Sequence, residues 1–455
     1  MESYIPKVRM IASSHIQAIK EKVDIIQIIQ PFLRSPLKRQ GSNFFALSPF
    51  SDEKSPSFSI HPHKNIFKCF SSGKGGDVFT FLQESQGMTF VEAVRYVAEQ
   101  IGYEIPEGTP EQTQLAQQRT SILAILQAAA QAFYARAPRE TWYTDWLQAQ
   151  ARKLDDPQLL EAFQIGHAVT DRSALVKQLL KAQYTRDMLL QAGLAYERDD
   201  QLRDRFRRRI LFPIRDHLGR VVGFGARKTD DDTTQQAKYI NSPESQVYQK
   251  SKVLYGLYES KERIRQQGKA YMVEGYTDVL AGWKNNVAMI ASCGTAVTEA
   301  QVALLARFTN TVVLWLDRDG AGVKATARAI PLFLAQGFTV KIAQTSAEDP
   351  DAYFRESKDD LAELDWMDWV YQHHQTEDES PAAQAKVIRA VQEYIEVLPF
   401  DLDQQLYQAR LEELSGIQAP PKQPAVKEAF TPPERARKLG VLRGIAGTDR
   451  TAPTH

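Results

Sequence analysis

Cysteine is nearly absent from this sequence: Cys69 and Cys293 are the two in 455 residues. That excludes a disulfide framework and points to a reducing compartment, the cytoplasm. Net charge is absent as well. Lys+Arg and Asp+Glu both number 56, so overall charge selects no partner. No apolar run reaches the length of a membrane span, and the opening MESYIPKVRM holds no hydrophobic signal segment. No internal repeat is visible. What is present is ordinary for a globular chain, 43% hydrophobic and 25% charged. At 455 residues a single core is not expected, so the chain should divide into several domains.

The chain is organised around Ala270 to Phe354. Four Val- and Ile-rich runs stop abruptly there, with helical spacing between them at Glu299–Phe308 and Val323–Leu334. That alternation predicts an α/β unit, a parallel sheet covered on both faces. Three of the runs end at acids: Glu274 and Asp278, then Asp317 and Asp319, then Asp349 and Asp351. In parallel sheets the functional groups gather past the carboxyl ends of the strands. Single Asp-Gly or Asp-Pro pairs often mark nothing more than turns. Three such clusters at successive strand ends instead predict one site of hard oxygen donors, suited to Mg²⁺ or Mn²⁺.

Upstream, Ile16–Phe32 is amphipathic and reads as a helix. The aromatic runs NFFALSPF, SFSIHPH and IFKCF read as a small antiparallel sheet, followed by two helices. Residues 103–115 read as a linker, and Gln117 to about Ala195 as helix throughout. Residues 201–228 hold nine Arg or Lys against two Asp, interleaved with Ile210, Leu211, Phe212, Val221 and Val222. This predicts positive charge displayed from strands, a face for phosphate. Lys238, Tyr239, Asn241, Ser242 and Lys250 extend it with phosphate-, sugar- and base-contacting side chains. Beyond the acidic stretch, Lys358–Gln375 and Pro381–Ser415 read as helical, and the Pro-rich end from Gln418 as disordered.

These segments resemble the bacterial DNA primases of the DnaG type. SPFSDEKSPSFSIHPHKNIFKCFSSGKGGDVFTFL resembles the primase zinc ribbon. DRFRRRILFPIRD, GRVVGFGARK and KYINSPES resemble the basic part of the polymerase core. EGYTDV, ASCGTAVT, LDRDGAG and AEDPDAYF resemble the TOPRIM (topoisomerase–primase) fold. The resemblance implies a multi-domain α+β chain: a ribbon-like domain over residues 1–102, a linker, a basic subdomain over 116–255, a TOPRIM sheet over 256–356, a helical subdomain over 357–417 and a tail over 418–455. It implies a nucleotidyltransferase that synthesises RNA primers from nucleoside triphosphates on single-stranded DNA, cytoplasmic and nucleoid-associated. Glu274, Asp278, Asp317, Asp319, Asp349 and Asp351 fall on the family's metal site. Glu274, Asp317 and Asp319 are its catalytic positions, Glu274 as base or as ligand. Arg205, Arg207, Arg227, Lys238, Tyr239, Asn241 and Lys250 fall on its template and nucleotide face.

The chain departs from the family in four places. Arg318 stands between Asp317 and Asp319 where the family has glycine, and Ala162 precedes Phe163 where a basic residue is usual. The four zinc-ligand positions are Ser48, Ser51, Cys69 and Ser72, one thiol out of four, so zinc is expected to be absent. A displaced site built from His61, His63 and Cys69 is the weaker alternative. The helicase-docking domain of the family is not evident after Ser415, so the usual helicase contact is not expected. Two other functions fit the acidic sheet, a TOPRIM nuclease and a non-catalytic single-strand-binding paralogue. The basic segment argues against the first and the six acids against the second.

Overall fold

A computed structural model describes residues 11–105, 110–136, 141–148, 154–229, 237–292, 294, 296–356 and 361–417. Cys293, the acids at 230–232 and the expected tail fall outside these residues. Among the described residues no helix is long and apolar enough to cross a membrane.

The aromatic runs near the N-terminus form a small antiparallel sheet, with Lys38–Gln40, Asn43–Ala46, Phe58–His61, Ile66–Cys69 and Gly75–Gly76 side by side in chain order. Two helices follow. Asp77 caps Val78–Gln86, and a Thr89/Glu92 capping box opens Phe90–Gln100. Phe50, Phe58, Phe67 and Phe81 meet at ring centroid distances of 5.4–6.1 Å. Phe70 takes no part and is 67% exposed. The helix expected over Ile16–Phe32 is two helices, Ser13–Lys22 and Ile25–Ile29. The break falls at Asp24, whose carboxylate accepts from Ile26 N and restarts the helix.

The ribbon rests on the rest of the chain through Arg34–Glu262 (2.9 Å), Lys261–Gln86 (2.8 Å) and Arg307–Glu92 (3.1 Å). Burial opposes ionisation of Glu92, yet His217, the Thr89 amide and Arg307 hold its pKa at about 2.

A second sheet runs in the order Tyr239–Asn241, Val221–Lys228, Arg209–Arg215, Gly166–Ala168, every neighbour antiparallel. One of its strands corrects the expectation of unbroken helix from Gln117 to about Ala195: Gly166–Ala168 is a fully buried strand, and at the end of that range a separate two-stranded hairpin begins, Ala195–Arg198 with Gln201–Asp204. Three residues are too few for a period to show. Gly166 is required because the long helix Pro110–Arg136 crosses it so closely that a Cβ would lie 2.4 Å from the Phe133 carbonyl carbon. That helix also takes up part of the expected linker.

The acidic stretch folds as expected. Strands Met289–Ala291, Ala270–Val273, Thr311–Leu314 and Thr339–Gln344 pair in that order, all parallel. The first and third strands in the chain are adjacent at the centre, and connections leave them in opposite directions. This is a topological switch point, where a crevice opens past the strand ends. The sheet gains a fifth strand where helix was expected: Ala362–Asp365 pairs antiparallel with Thr339–Gln344. Its Glu363 carboxylate reaches Lys341 on the adjacent strand and Lys269 just before Ala270–Val273. Asp365 then caps Trp366–His374. The expected helix over Pro381–Ser415 is two, Pro381–Ile395 and Asp401–Ser415, separated around Pro399.

The basic and acidic sheets share one apolar core. Ile210, Phe212, Ile214 and Val222 pack with Val273, Tyr276, Val279, Met289, Val313 and Trp315. A buried ion pair pins the same junction: Arg215 Nη1 donates to Glu259 Oε1 at 2.6 Å, with both side chains under a tenth exposed. Burial pushes the Glu259 carboxyl up and Arg215 pulls it back. Removing one partner strands a buried charge, so Glu259→Ala should lower stability by about 3–5 kcal/mol in denaturant melts. A loss within about 1 kcal/mol would show the pair to be dispensable.

Candidate active site

The six acids stand where the parallel strands end. Glu274 and Asp278 follow Ala270–Val273, Asp317 and Asp319 follow Thr311–Leu314, and Asp349 and Asp351 follow Thr339–Gln344. Glu274 Oε1 accepts from Asp317 N at 3.2 Å, a bond across the switch point. Asp278 Oδ2 accepts from Gly275 N at 2.9 Å and lies within the first helical turn. Asp319 caps Gly320–Leu334 through the amides of Ala321 and Gly322. Gly322 is obligatory there, since a Cβ would meet the Asp317 carbonyl oxygen at 2.0 Å. Asp349 accepts from Ala352 N at 2.6 Å, and Asp351 pairs with Arg355 at 3.6 Å. Arg318 turns away from its acidic neighbours: its guanidinium bonds the carbonyls of Thr345 and Ser346, tying two acidic loops together.

Proximity shows in the protonation of these groups. Burial, then Asp349, with Asp317 and Asp351 adding to it, pushes the Asp278 carboxyl up to about 7. Burial, then Glu274, Asp349 and Asp319, pushes Asp317 up to about 6. Groups that resist ionisation because of one another gain most from a cation between them. Among the described residues, no three acidic, imidazole or thiol groups converge into a ready-made cage. Mg²⁺ does not need one, because it keeps several waters and takes one or two carboxylates. The donor set therefore fits a hydrated hard cation.

The basic residues do not form one ridge. Tyr239 and Ile240 are consecutive on an edge strand and face opposite sides. On the Tyr239 side, the Tyr276 hydroxyl lies 2.8 Å from Asn241 Oδ1. Arg227 is buried, bonded to the Tyr239 hydroxyl (3.0 Å) and stacked on Trp146 and Tyr239. Lys250 Nζ reaches the Gly294 carbonyl at 3.4 Å, and Lys238 is exposed. On the Ile240 side, Arg205 and Arg207 line a separate pocket of about 270 Å³ with Arg172, Arg198, Arg203 and Arg209. Arg205 Nε is buried there without a hydrogen-bond partner among the described residues. Ser242 is buried, its hydroxyl accepting from Phe224 N.

The expectation that strands 209–228 display their charge needs correction. Arg209, Arg215 and Arg227 are buried and spend their donors inside the protein, Arg209 on the carbonyls of Ala226, Ala237 and Lys238. Ala162, which stands where the resembled family tends to carry a basic residue, contributes its carbonyl to Arg215. Sequence reasoning missed Tyr276 and the pocket arginines Arg172 and Arg198, while Arg203 lay in the basic stretch without being singled out. A signal existed for the first: the glycines of GFGARK leave room for a ring.

At the ribbon's ligand positions the residues do not fit zinc. Ser48 Oγ accepts from Phe50 N (3.0 Å) and Ser51 N (3.1 Å) and lies 3.3 Å from Cys69 Sγ. Ser71 Oγ is 3.3 Å from Cys69 Sγ and 2.8 Å from both Ser51 Oγ and Ser57 Oγ. Glu53 accepts from Ser48 N, Ser57 N and Ser57 Oγ. Burial opposes ionisation of Cys69, but bonds from Ser48, Ser71 and Ser72 bring its pKa down to about 7. A closed zinc site needs four thiolate or imidazole donors, and this cluster offers one. Among the described residues, His61, His63 and Cys69 do not come together as a group that could hold a metal ion.

Proton linkage at the acidic site has a definite sign. In the folded chain Asp278 and Asp317 hold protons above the ordinary carboxylate value of 3.8, so folding binds protons. Their stabilising contribution is complete below that value and is lost as pH rises to about 7. Without metal, the melting temperature should fall between about pH 5 and pH 7.5, and added Mg²⁺ should restore it more at the upper end. A flat profile, or equal restoration at both ends, would contradict this electrostatic account.

Comparison with known proteins follows the same order along the chain. Residues 11–113 match the CHC2 zinc finger family, 135–261 the DNA primase catalytic core N-terminal domain, and 271–354 the Toprim-like family. The DNA primase of Halalkalibacterium halodurans is 37% identical over 348 residues, 75% of this chain and 57% of that protein. The chain thus spans little more than half the length of most curated relatives it matches. The DNA primase of Aquifex aeolicus is 33% identical over 355 residues, 77% of this chain and 68% of that protein. Among solved structures, the zinc-binding and RNA polymerase domains of the Aquifex aeolicus primase cover 89% of this chain at 28% identity and a TM-score of 0.58. A DnaG primase catalytic domain bound to single-stranded DNA covers 67% at 27% identity and a TM-score of 0.58. A relative matched at a third identity over more than two thirds of its own length shows the family: this chain belongs to the bacterial DNA primases.

Proposed function

We propose that the chain synthesises short RNA primers from nucleoside triphosphates on single-stranded DNA. The observation that carries this is the junction of the two sheets. The carboxylate crevice at the switch point opens beside the side of the basic sheet that carries Tyr239 and Asn241. A nuclease needs the acids and a grip on the strand it cuts. A polymerase also needs a place for nucleotide and template, and the basic sheet supplies it.

In this reading Glu274, Asp278, Asp317 and Asp319 hold a divalent cation, with Asp349 and Asp351 adding negative charge from the third loop. When bound, the cation neutralises charge on the transferring phosphoryl group and favours the attacking hydroxylate. Asp278 and Asp317, whose carboxyls are pushed up by burial and by their acidic neighbours, would be held ionised beside a bound cation, their protons passing to solvent. Lys238 and Lys250 hold the triphosphate as point charges, and Tyr239 and Asn241 orient sugar and base. Arg205 and Arg207, on the other side of the edge strand, grip template phosphates. Arg227 acts indirectly, by fixing Tyr239. No protein nucleophile is required. In the ribbon, the hydroxyl, thiol and carboxylate cluster around Cys69 and Glu53 takes the place of zinc.

Asp317→Ala and Asp319→Ala should each lower incorporation of labelled ribonucleotides on single-stranded DNA by about 10²–10³-fold with circular dichroism unchanged. A double variant that still forms dinucleotides would refute the metal assignment, and cleavage of DNA without nucleotides would indicate a nuclease. Metal analysis of the purified chain should find zinc far below one per molecule, and a chelator should leave the ribbon folded. Stoichiometric zinc whose removal melts the ribbon would contradict the metal-free reading.

A further inference from the structure

Tyr276 is the first residue of the helix that carries Asp278, and it follows Glu274 by two positions. Its backbone therefore belongs to the carboxylate crevice. Its side chain does not. It crosses into the basic sheet, where it is 5% exposed. The ring stacks on Phe212 (centroids 5.0 Å, planes 18° apart) and meets Tyr239 at 5.8 Å and Tyr255 edge-on at 4.7 Å. The hydroxyl donates to Asn241 Oδ1 at 2.8 Å. The fit leaves no slack: a Cβ at Gly225 would lie 2.3 Å from the Tyr276 Cζ and 2.5 Å from its hydroxyl oxygen.

We propose that Tyr276 is a positioning residue that sets the distance and angle between Asn241 and Tyr239 on one side and the Glu274–Asp278 carboxylates on the other. This rests on the primase reading above. Shared apolar packing can hold two sheets together and still let them slide by an ångström. A hydrogen bond at the end of a stacked ring removes that freedom, and displacements of this size cost rate steeply. The residue touches neither nucleotide nor metal in this account. It acts through Asn241, the acceptor of its hydroxyl, and through Tyr239, the ring beside it.

Tyr276→Phe keeps the ring and its packing and removes only the hydroxyl. The expected result is a fall in kcat for dinucleotide synthesis of about tenfold, with KM for the triphosphate nearly unchanged. Melting temperature and Mn²⁺ binding followed by electron paramagnetic resonance should stay at their wild-type values. Asn241→Ala added to Tyr276→Phe should cost less than the product of the two single losses, because the two residues share one interaction. Wild-type kcat in Tyr276→Phe would overturn the proposal. So would losses that multiply independently in the double variant, or a lowered kcat that merely follows a lowered melting temperature. A wild-type chain that makes no dinucleotide would instead defeat the primase reading, a separate outcome visible before any variant is compared.

Discussion

Carboxylates gathered at one end of a parallel sheet repel one another, and the rest of the molecule is arranged so that they stay there. The helix beginning at Tyr276 holds Asp278 under the first turn, and the Gly320–Leu334 helix holds Asp319 at its cap. Arg318 ties the Asp317 loop to the segment before Asp349. Burial and then their acidic neighbours push the Asp278 and Asp317 carboxyls up, a cost of this arrangement without a cation. The apolar core shared by the two sheets bears it, since burial of even a few large side chains contributes several kcal/mol.

The same economy governs the arginines. A basic stretch in a sequence suggests a surface, but three of its members are structural. Arg215 closes the junction with Glu259, Arg209 gathers loose carbonyls, and Arg227 is sandwiched by aromatic rings. Guanidinium suits these tasks because its planar fork can satisfy several acceptors while stacking. The arginines left to meet phosphate, Arg205 and Arg207, stand with Arg172, Arg198 and Arg203 on the side of the edge strand away from Tyr276. In the proposed reading, template and nucleotide grips are divided between two faces of one sheet.

Much of this was legible from residues alone. The acids were legible because each strand is a Val- and Ile-rich run that stops at them, and a parallel sheet aligns such ends whatever its helices do. The ribbon's sheet was legible from its aromatic alternation. Gly166–Ala168 and Ala362–Asp365 were not, because strands this short carry no period and are fixed by distant partners, the Phe133 backbone and the lysines around Glu363. Burial of Arg209, Arg215 and Arg227 was hidden for the same reason: charge is local information and its partners are not. Tyr276 lay in a motif noticed for its acids, while its own role depends on Gly225 and Asn241, dozens of residues upstream. In the ribbon the loss of ligands was plain, but the replacement was not. Ser57, Ser71 and Glu53 become a cluster only when Phe58–His61 and Ile66–Cys69 pair.

The central claim is that carboxylates from separate strand ends form one divalent-cation site facing Asn241 and Tyr239. Crystals soaked in Mn²⁺ and a nucleoside triphosphate test it most directly, through the anomalous signal of manganese. The account predicts a manganese peak within coordinating reach of carboxylates from at least two of the three loops, with the triphosphate between it and the Tyr239 strand. Manganese bound elsewhere, or a nucleotide seated away from that strand, would contradict it.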